Sequence, residues 1–475
     1  MEILKRRSLL AGLLLFCVVA LKAKDTYSIK VKITGLKDTV CYLANHYGDK
    51  QYIQDTARVD SKGNFVFIGN RKLPGGIYMV VLPNKKYFEV MIVDKEQNFS
   101  IETDTADLVK NLKVKGSNEN KIFYEYLHFI GQKQKEVEPV RANLEKYKDK
   151  KDSSDKYQNK LNAINNEVKS NRENFLKQNQ GTFVVKVFKA SDEPVVPEPP
   201  KLANGRPDST FAFRYYKSHL FDNIDFSDDK MLRTPVFMTK VKQYLDNLTV
   251  QTADSLKISC DYLAEKARAN KEVFKYIVYY TTYTYETSKI MGMDAVFVHL
   301  VEKYYMTNQA YWMDSTQLRK ITDRAMTLKP LLIGKRTWNL SLEDTNGVFH
   351  PLYDVKAKYT VLFFWDPDCG HCQKAIPKLV EVYDKYKSMG VEVYAGCTET
   401  EVGKWKKMIR DKNLKWINVA DPDLHNNFRH DYDITSTPQI YVLDENKIIK
   451  AKKLDADQLA DIFEKLLVDK KNILN

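Results

Sequence analysis

The chain has 475 residues, 43% of them apolar, 29% charged and 12% aromatic, which is too long for one hydrophobic core and too rich in core-forming side chains for extended disorder. Its formal charge of +13 suggests an anionic partner. Acids and bases are interleaved throughout, however, as in "EKYKDKKDSSDKYQNK", which is the pattern of a solvated helix face and argues against nucleic acid, while leaving weak attraction to an anionic membrane surface.

Residues 1–23 read as a cleaved secretory signal. Lys5, Arg6 and Arg7 form a positive leader, Leu9 to Leu21 is an apolar run of 13, and Ala20 to Ala23 offers small residues for cleavage. The run is short for a membrane-spanning helix, which needs about 20 apolar residues. An uncleaved anchor and lipid attachment through Cys17 are the alternatives, the latter disfavoured by bulky Phe16. Export to the periplasm or cell envelope follows, a setting where disulfides persist. Five cysteines then remain: Cys41, Cys260, Cys369, Cys372 and Cys397. So few, and an odd number, do not describe a protein stapled by structural disulfides.

Residues 25–115 carry short alternating runs, including "YSIKVKITGL", "NFVFIG" and "IYMVVLP", punctuated by turn residues at 61–64 and 74–76. They predict an antiparallel β domain, with Cys41 a half-buried strand residue. Residues 118–330 predict a helical domain. Tyr157, Leu161, Ile164 and Val168 recur at helical spacing, and a Pro-rich break spans 192–208. Cys260 falls in an apparent helix start and reads as inert. Tyr279, Tyr280, Tyr283 and Tyr285 admit a ligand groove or core and interface packing, of which packing is the simpler. His128, His219 and His299 have no second ligand at metal spacing and read as satisfied core histidines.

Residues 331–475 alternate strands and helices, so the whole chain reads as multidomain: an antiparallel β domain, an α-helical middle and a C-terminal α/β domain. "YTVLFFW" is apolar enough for a doubly covered central strand, "CQKAIPKLVEVYDKYKSMG" reads as a helix, and "VEVYAGC" as a parallel strand. "QIYVLDEN" reads as another strand and "ADQLADIFEKLLVDK" as a closing helix. Between the first strand and its helix stand Cys369 and Cys372, three apart. That spacing alone admits a redox pair, half a zinc site or inert thiols. A structural zinc site normally has four ligands, and no second pair is suitably spaced.

The stretch "FFWDPDCGHCQKAIP" resembles the active-site segment of the thioredoxin superfamily: an apolar strand, Trp365, the box Cys369-Gly370-His371-Cys372, and Pro377 at the family's helix-kink proline. "STPQIYVLDENKII" resembles the second family signature, where a cis-proline, here Pro438 after Thr437, precedes a strand. More loosely, the whole chain resembles multidomain bacterial envelope thioredoxin-like proteins. The resemblance implies thiol-disulfide exchange on disulfide-containing envelope proteins, no cofactor and no metal, and a membrane or soluble redox partner that recharges the pair. Cys-Gly-His-Cys is also the box of protein disulfide isomerases, which implies a middling potential.

The residues support that chemistry. A cysteine at a helix start meets unsatisfied N–H groups and the positive end of the helix dipole, which favour thiolate. His371 can add positive charge beside it, an effect that Asp366 and Asp368 oppose. Two positions depart from the family: Phe363 stands where thioredoxins carry a buried acid, and Asp368 replaces the usual aromatic residue before the nucleophile. A thiol-disulfide oxidoreductase is therefore the leading reading. A partner-capturing scaffold is the second. A peroxiredoxin-like peroxidase is the third, and it would want a hydroxyl residue where Asp366 stands. Cys397, at the end of its strand, is expected on the same sheet rim as the pair.

Overall fold

The computed structural model describes residues 26–468. The expected signal segment and its cleavage site lie outside the described residues, as do the last residues of the closing helix. Among the described residues no helix is long and apolar enough to cross a membrane. The chain divides into two compact units, one made of residues up to Glu193 with Phe221–Asp225 and Lys230–Met238, the other of Pro194–Leu220, Phe226–Asp229 and the chain from Thr239 onward.

The first unit opens with eight strands: β1 (Tyr27–Thr34), β2 (Thr39–Tyr47), β3 (Lys50–Val59), β4 (Asn64–Gly69), β5 (Gly76–Val81), β6 (Tyr87–Ile92), β7 (Asn98–Asp104) and β8 (Lys113–Lys115). They form two sheets, ordered β4-β1-β7-β8 and β3-β2-β5-β6. Alternation dictates the faces: Ile29, Val31 and Ile33 of β1 are buried while Lys30 and Lys32 are not. The pairings are antiparallel except β1 with β7, which is parallel. That exception is invisible to local pattern, because the whole other sheet is threaded between the two strands, and a parallel pair needs such a long connection. Cys41 is fully buried.

Helix α1 (Asn118–Lys146) starts at a Ser117 cap and pairs with α2 (Lys151–Gln178), whose Ile164 is buried as the periodicity predicts. Asn120 on α1 holds β6 by two 2.7 Å hydrogen bonds to the backbone of Met91. The carboxylate of Glu119 accepts the N–H groups of Phe183 and Val184 at 2.8 and 3.0 Å, at the start of α3 (Phe183–Ala190). A buried carboxylate is tolerated there because those helix-start donors would otherwise be unpaired.

After the Pro-rich stretch come α4 (Phe211–His219), α5 (Pro235–Lys242), α6 (Ala253–Ala267), α7 (Lys271–Glu286), α8 (Asp294–Leu300) and α9 (Ser315–Leu328). Thr252 caps α6 through the N–H of Ser255, so Cys260 lies in mid-helix rather than at its start, fully buried beside Leu256, Leu263 and Ala264. The four tyrosines of α7 split between the two readings. Tyr285 is buried, whereas Tyr279 and Tyr283 are about half exposed and line a cavity of about 360 Å³ with Tyr305, Met313 and Arg324. Packing therefore accounts for only part of the cluster, because residues four apart share the outer face and Tyr285 turns inward. The three histidines are half-buried and satisfied: His128 meets the Val109 carbonyl, His219 the Tyr215 carbonyl, and His299 the carboxylate of Asp261 at 2.9 Å.

The last region holds a seven-stranded mixed sheet of β9 (Ser341–Glu343), β10 (Phe349–Pro351), β11 (Tyr359–Trp365), β12 (Val391–Cys397), β13 (Ile417–Ala420), β14 (Gln439–Asp444) and β15 (Ile449–Lys452), in the order β10-β9-β13-β12-β11-β14-β15. Its helices are α10 (Gly370–Tyr386), α11 (Val402–Asp411), α12 (Phe428–Asp431) and α13 (Leu459–Phe463). β11 is buried along its whole length, with β12 parallel on one side and β14 antiparallel on the other. Val361, Phe363 and Trp365 pack with Ile376 and Leu379 of α10, while Leu362 and Phe364 pack with Tyr394, Phe428 and Tyr432. Two apolar faces explain why this strand reads as a continuous run rather than an alternation. In the same unit Lys452 and Asp294 form an ion pair, each almost wholly buried.

Candidate active site

β11 ends at Trp365, and the chain reverses through Asp366-Pro367-Asp368 into α10. Asp366 makes the turn: its carboxylate accepts the N–H of Asp368 at 2.8 Å and its carbonyl the N–H of Cys369 at 3.2 Å. Gln373 reaches back to the carbonyl of Pro367 at 2.8 Å. Cys369 is thus delivered as the N-cap of α10, with extended backbone angles and its sulfur 3.4 Å from the N–H of Cys372. Cap positions normally hold an oxygen acceptor for these donors; here a sulfur takes the role.

The second signature folds against it. The Thr437–Pro438 peptide is cis, and the thiol of Cys369 donates to the Thr437 carbonyl at 3.2 Å. The two cysteines differ in access: Cys369 is half-buried, Cys372 fully buried one turn on. Their chemistry diverges accordingly. Partial burial pushes the Cys369 thiol up, but hydrogen bonds from the Thr437 side chain, from Cys372 and from the backbone N–H groups of Cys372 and His371 outweigh it, so it lies below the usual thiol range. Burial pushes Cys372 up to about 12.

Gly370 and His371 are exposed in the first turn of α10, and Pro377 is exposed farther along it. Trp365 is fully buried and stacks on Phe363 at 6.4 Å, so it underlies the site rather than lining its surface. Its indole N–H has no acceptor among the described residues. Phe363 is equally buried, which leaves the position of the usual acid apolar. Cys397 lies directly across from Trp365 in the β11–β12 register, fully buried and pushed up to about 12 by that burial.

One feature of the rim escapes sequence reading. Lys404 of α11 pairs with Asp368 at 2.9 Å and with Glu401 at 2.7 Å, and approaches Glu399 at 4.0 Å. Carboxylate oxygens of Asp366, Asp368 and Glu399 lie within 4.8 Å of one another, a spacing able to take a metal ion, but Lys404 already supplies positive charge there. Only "DPD" was visible as local acidity. A second cavity, about 430 Å³ and lined by polar groups including Glu102, Asp104 and His128, lies in the first unit and holds no thiol.

An accessible, acidified thiol beside a shielded one at a helix start is chemically able to exchange with a disulfide. Known proteins agree. Residues 333–452 match the AhpC/TSA family. The thiol-disulfide oxidoreductase ResA of Bacillus thuringiensis subsp. konkukian is 30% identical over 138 residues, covering 28% of this chain and 78% of the relative. The chain belongs to the thioredoxin-like thiol-disulfide oxidoreductases. A ResA of Bacillus cereus is 37% identical over 90 residues, 19% of this chain, and the chain spans 51% of that relative's length. Among solved structures, a domain of a possible thiol-disulfide isomerase from Cytophaga hutchinsonii is 45% identical, covering 30% of this chain and 98% of that one, with a TM-score of 0.29. Residues 149–329 and 27–123 match two domains of unknown function, DUF5106 and DUF4369. The family assignment therefore rests on the C-terminal region.

Proposed function

We propose that the protein is an exported thiol-disulfide oxidoreductase of the periplasm or cell envelope that acts on protein disulfides. The observation that carries this reading is the asymmetry of the pair: Cys369 caps its helix with a half-buried sulfur, and Cys372 is sealed beneath it.

The thiolate of Cys369 attacks one sulfur of a substrate disulfide, forming a mixed disulfide and releasing the other sulfur as a thiolate. Cys372 gives up its proton and attacks the sulfur of Cys369. The Cys369–Cys372 disulfide forms, the second substrate thiolate leaves, and two electrons have passed to the substrate. A membrane or soluble dithiol partner resets the pair, and the same steps reversed oxidise a substrate dithiol. Gly370 leaves open space above the first turn of the helix, and His371, when protonated, adds positive charge near the thiolate. Trp365 and Pro377 hold the strand and helix that present it, and Thr437 with Pro438 offers a backbone edge to the substrate. With Phe363 in the acid's place, water or another group takes the Cys372 proton.

Insulin reduction by the full chain tests the activity, with loss expected in Cys369→Ser. A purified protein that neither reduces insulin nor forms the Cys369–Cys372 disulfide would be a scaffold. The reduction potential sets direction: a value near about −270 mV marks a reductase and one near about −120 mV an oxidase, with a middling value expected for this box. The mature chain should begin near Lys24 or Asp25, which N-terminal sequencing of protein from the native envelope reads directly.

A further inference from the structure

The loop that brings Thr437 to Cys369 is held from outside the α/β region. It leaves α12, turns at Asp433 with φ of 50°, and runs through exposed Thr435 and Ser436 to Thr437. Two arginines fix it. Arg429, at its start, donates to the carbonyl of Thr398, whose own N–H binds the Trp365 carbonyl at 2.8 Å, so this end is tied to the strand that precedes the active site. At the turn itself, the carboxylate of Asp433 pairs with the guanidinium of Arg324 on α9, 109 residues earlier in the chain. Asp433 is only 16% exposed, so most of its carboxylate is withdrawn from water and faces that arginine.

The turn's backbone is closed locally as well. The Asp433 N–H binds the His430 carbonyl at 3.0 Å, its carbonyl accepts from Thr435 at 3.0 Å, and Ile434 donates to Arg429 at 2.8 Å. Asp433 is the last charged anchor before the exposed pair that leads to Thr437. Movement of that turn would be passed along a short segment directly to the carbonyl that binds the nucleophile. The exposed ion pairs of the rim lack this position in the chain. Glu286, on α7, also feels the charge of Arg324, so the guanidinium is flanked by acids from two elements.

We propose that Arg324 is a positioning residue for the thiol chemistry: by pairing with Asp433 it fixes the loop that sets Thr437, side chain and carbonyl alike, against Cys369. The helical middle region thereby becomes part of the active-site scaffold. The proposal rests on Cys369 being the attacking thiol.

The test uses the full chain as wild type and as Arg324→Gln, Arg324→Lys and Asp433→Asn, with two readouts: the rate of Cys369 alkylation by iodoacetamide at neutral pH, and deuterium uptake by residues 433–437. The Thr437 side chain hydrogen-bonds the Cys369 sulfur and favours its thiolate, so Arg324→Gln and Asp433→Asn should each slow alkylation roughly fivefold and raise uptake in that loop, leaving β11 and α10 protected. Arg324→Lys, which keeps the charge, should recover most of both. Wild-type alkylation and uptake in both Arg324→Gln and Asp433→Asn would overturn the proposal, as would a loss that Arg324→Lys fails to recover. Should Arg324→Gln not fold, Asp433→Asn, nearly equal in shape to the native residue, decides by the same criteria. Failure of the oxidoreductase reading looks different: Cys369 of the wild type would then show no preferential alkylation, while loop uptake would still report the anchor.

Discussion

The sulfur of Cys369 stands 3.4 Å from the backbone nitrogen of Cys372, so one cysteine of the pair caps the turn of helix that carries the other. The donor that favours a negative sulfur on Cys369 therefore belongs to the other cysteine of the pair. The two thiols are fixed relative to each other by a single helical turn.

Alkylation should follow that asymmetry. Iodoacetamide should modify Cys369 with a rate that rises through a titration below the usual thiol range, while Cys372 stays inert until near pH 12. The signs differ for stability. The depressed Cys369 contributes stability above its unfolded value, lost as pH falls through the folded one. The raised Cys372 contributes below its unfolded value, and that is lost as pH rises toward about 12. Mass mapping across a pH series checks the order; equal labelling of both thiols near neutrality would contradict it.

Trapping separates the roles. Cys372→Ser keeps the attacking thiol and removes the resolving one, so substrate adducts should accumulate on non-reducing gels. Cys369→Ser should give neither adducts nor turnover, and Pro438→Ala should change how long adducts persist. Equal trapping by both cysteine variants would reverse the assignment.

Lys404→Ala removes the cation among Asp368, Glu399 and Glu401. Lys404, Asp368 and Glu401 are solvent-exposed, so little change in stability is expected. The uncompensated carboxylates beside Cys369 should disfavour its thiolate and move its alkylation profile to higher pH. A profile unchanged at low ionic strength would show that solvent screens the rim completely.

Cys397→Ala should leave turnover and disulfide pattern unchanged, because the thiol is sealed in the sheet and burial keeps it protonated at neutral pH. The expected cost is stability, about 1 kcal/mol by thermal melting, from a small void next to Trp365. A lost or altered disulfide pattern would instead make Cys397 a third redox thiol.

What the sequence disclosed was local. The box, the apolar β11 and the Thr437–Pro438 signature are each written in a dozen residues or fewer, and so is the placement of Cys369 at the helix start. What it withheld was pairing across distance. Lys404 meets Asp368 across 36 positions and Arg324 meets Asp433 across 109, and no propensity marks such partners among 75 basic residues. The parallel β1–β7 contact was hidden for the same reason. Tyr279 and Tyr283 were hidden differently, since tyrosine suits core and surface alike and only the position of the neighbouring helices decides which face is outside.

The pair of Lys452 and Asp294 bears on how this protein can be cut. Lys452 also donates to the Leu331 carbonyl at 2.7 Å, and the Asp294 carboxylate has no other hydrogen-bond partner among the described residues. Truncation to residues 331–475 would leave an ammonium group seated over the Tyr441 ring with its counter-ion gone, a change that typically costs about 3–5 kcal/mol while the charge stays buried. A fragment for biochemistry should therefore retain α8, which carries the counter-ion.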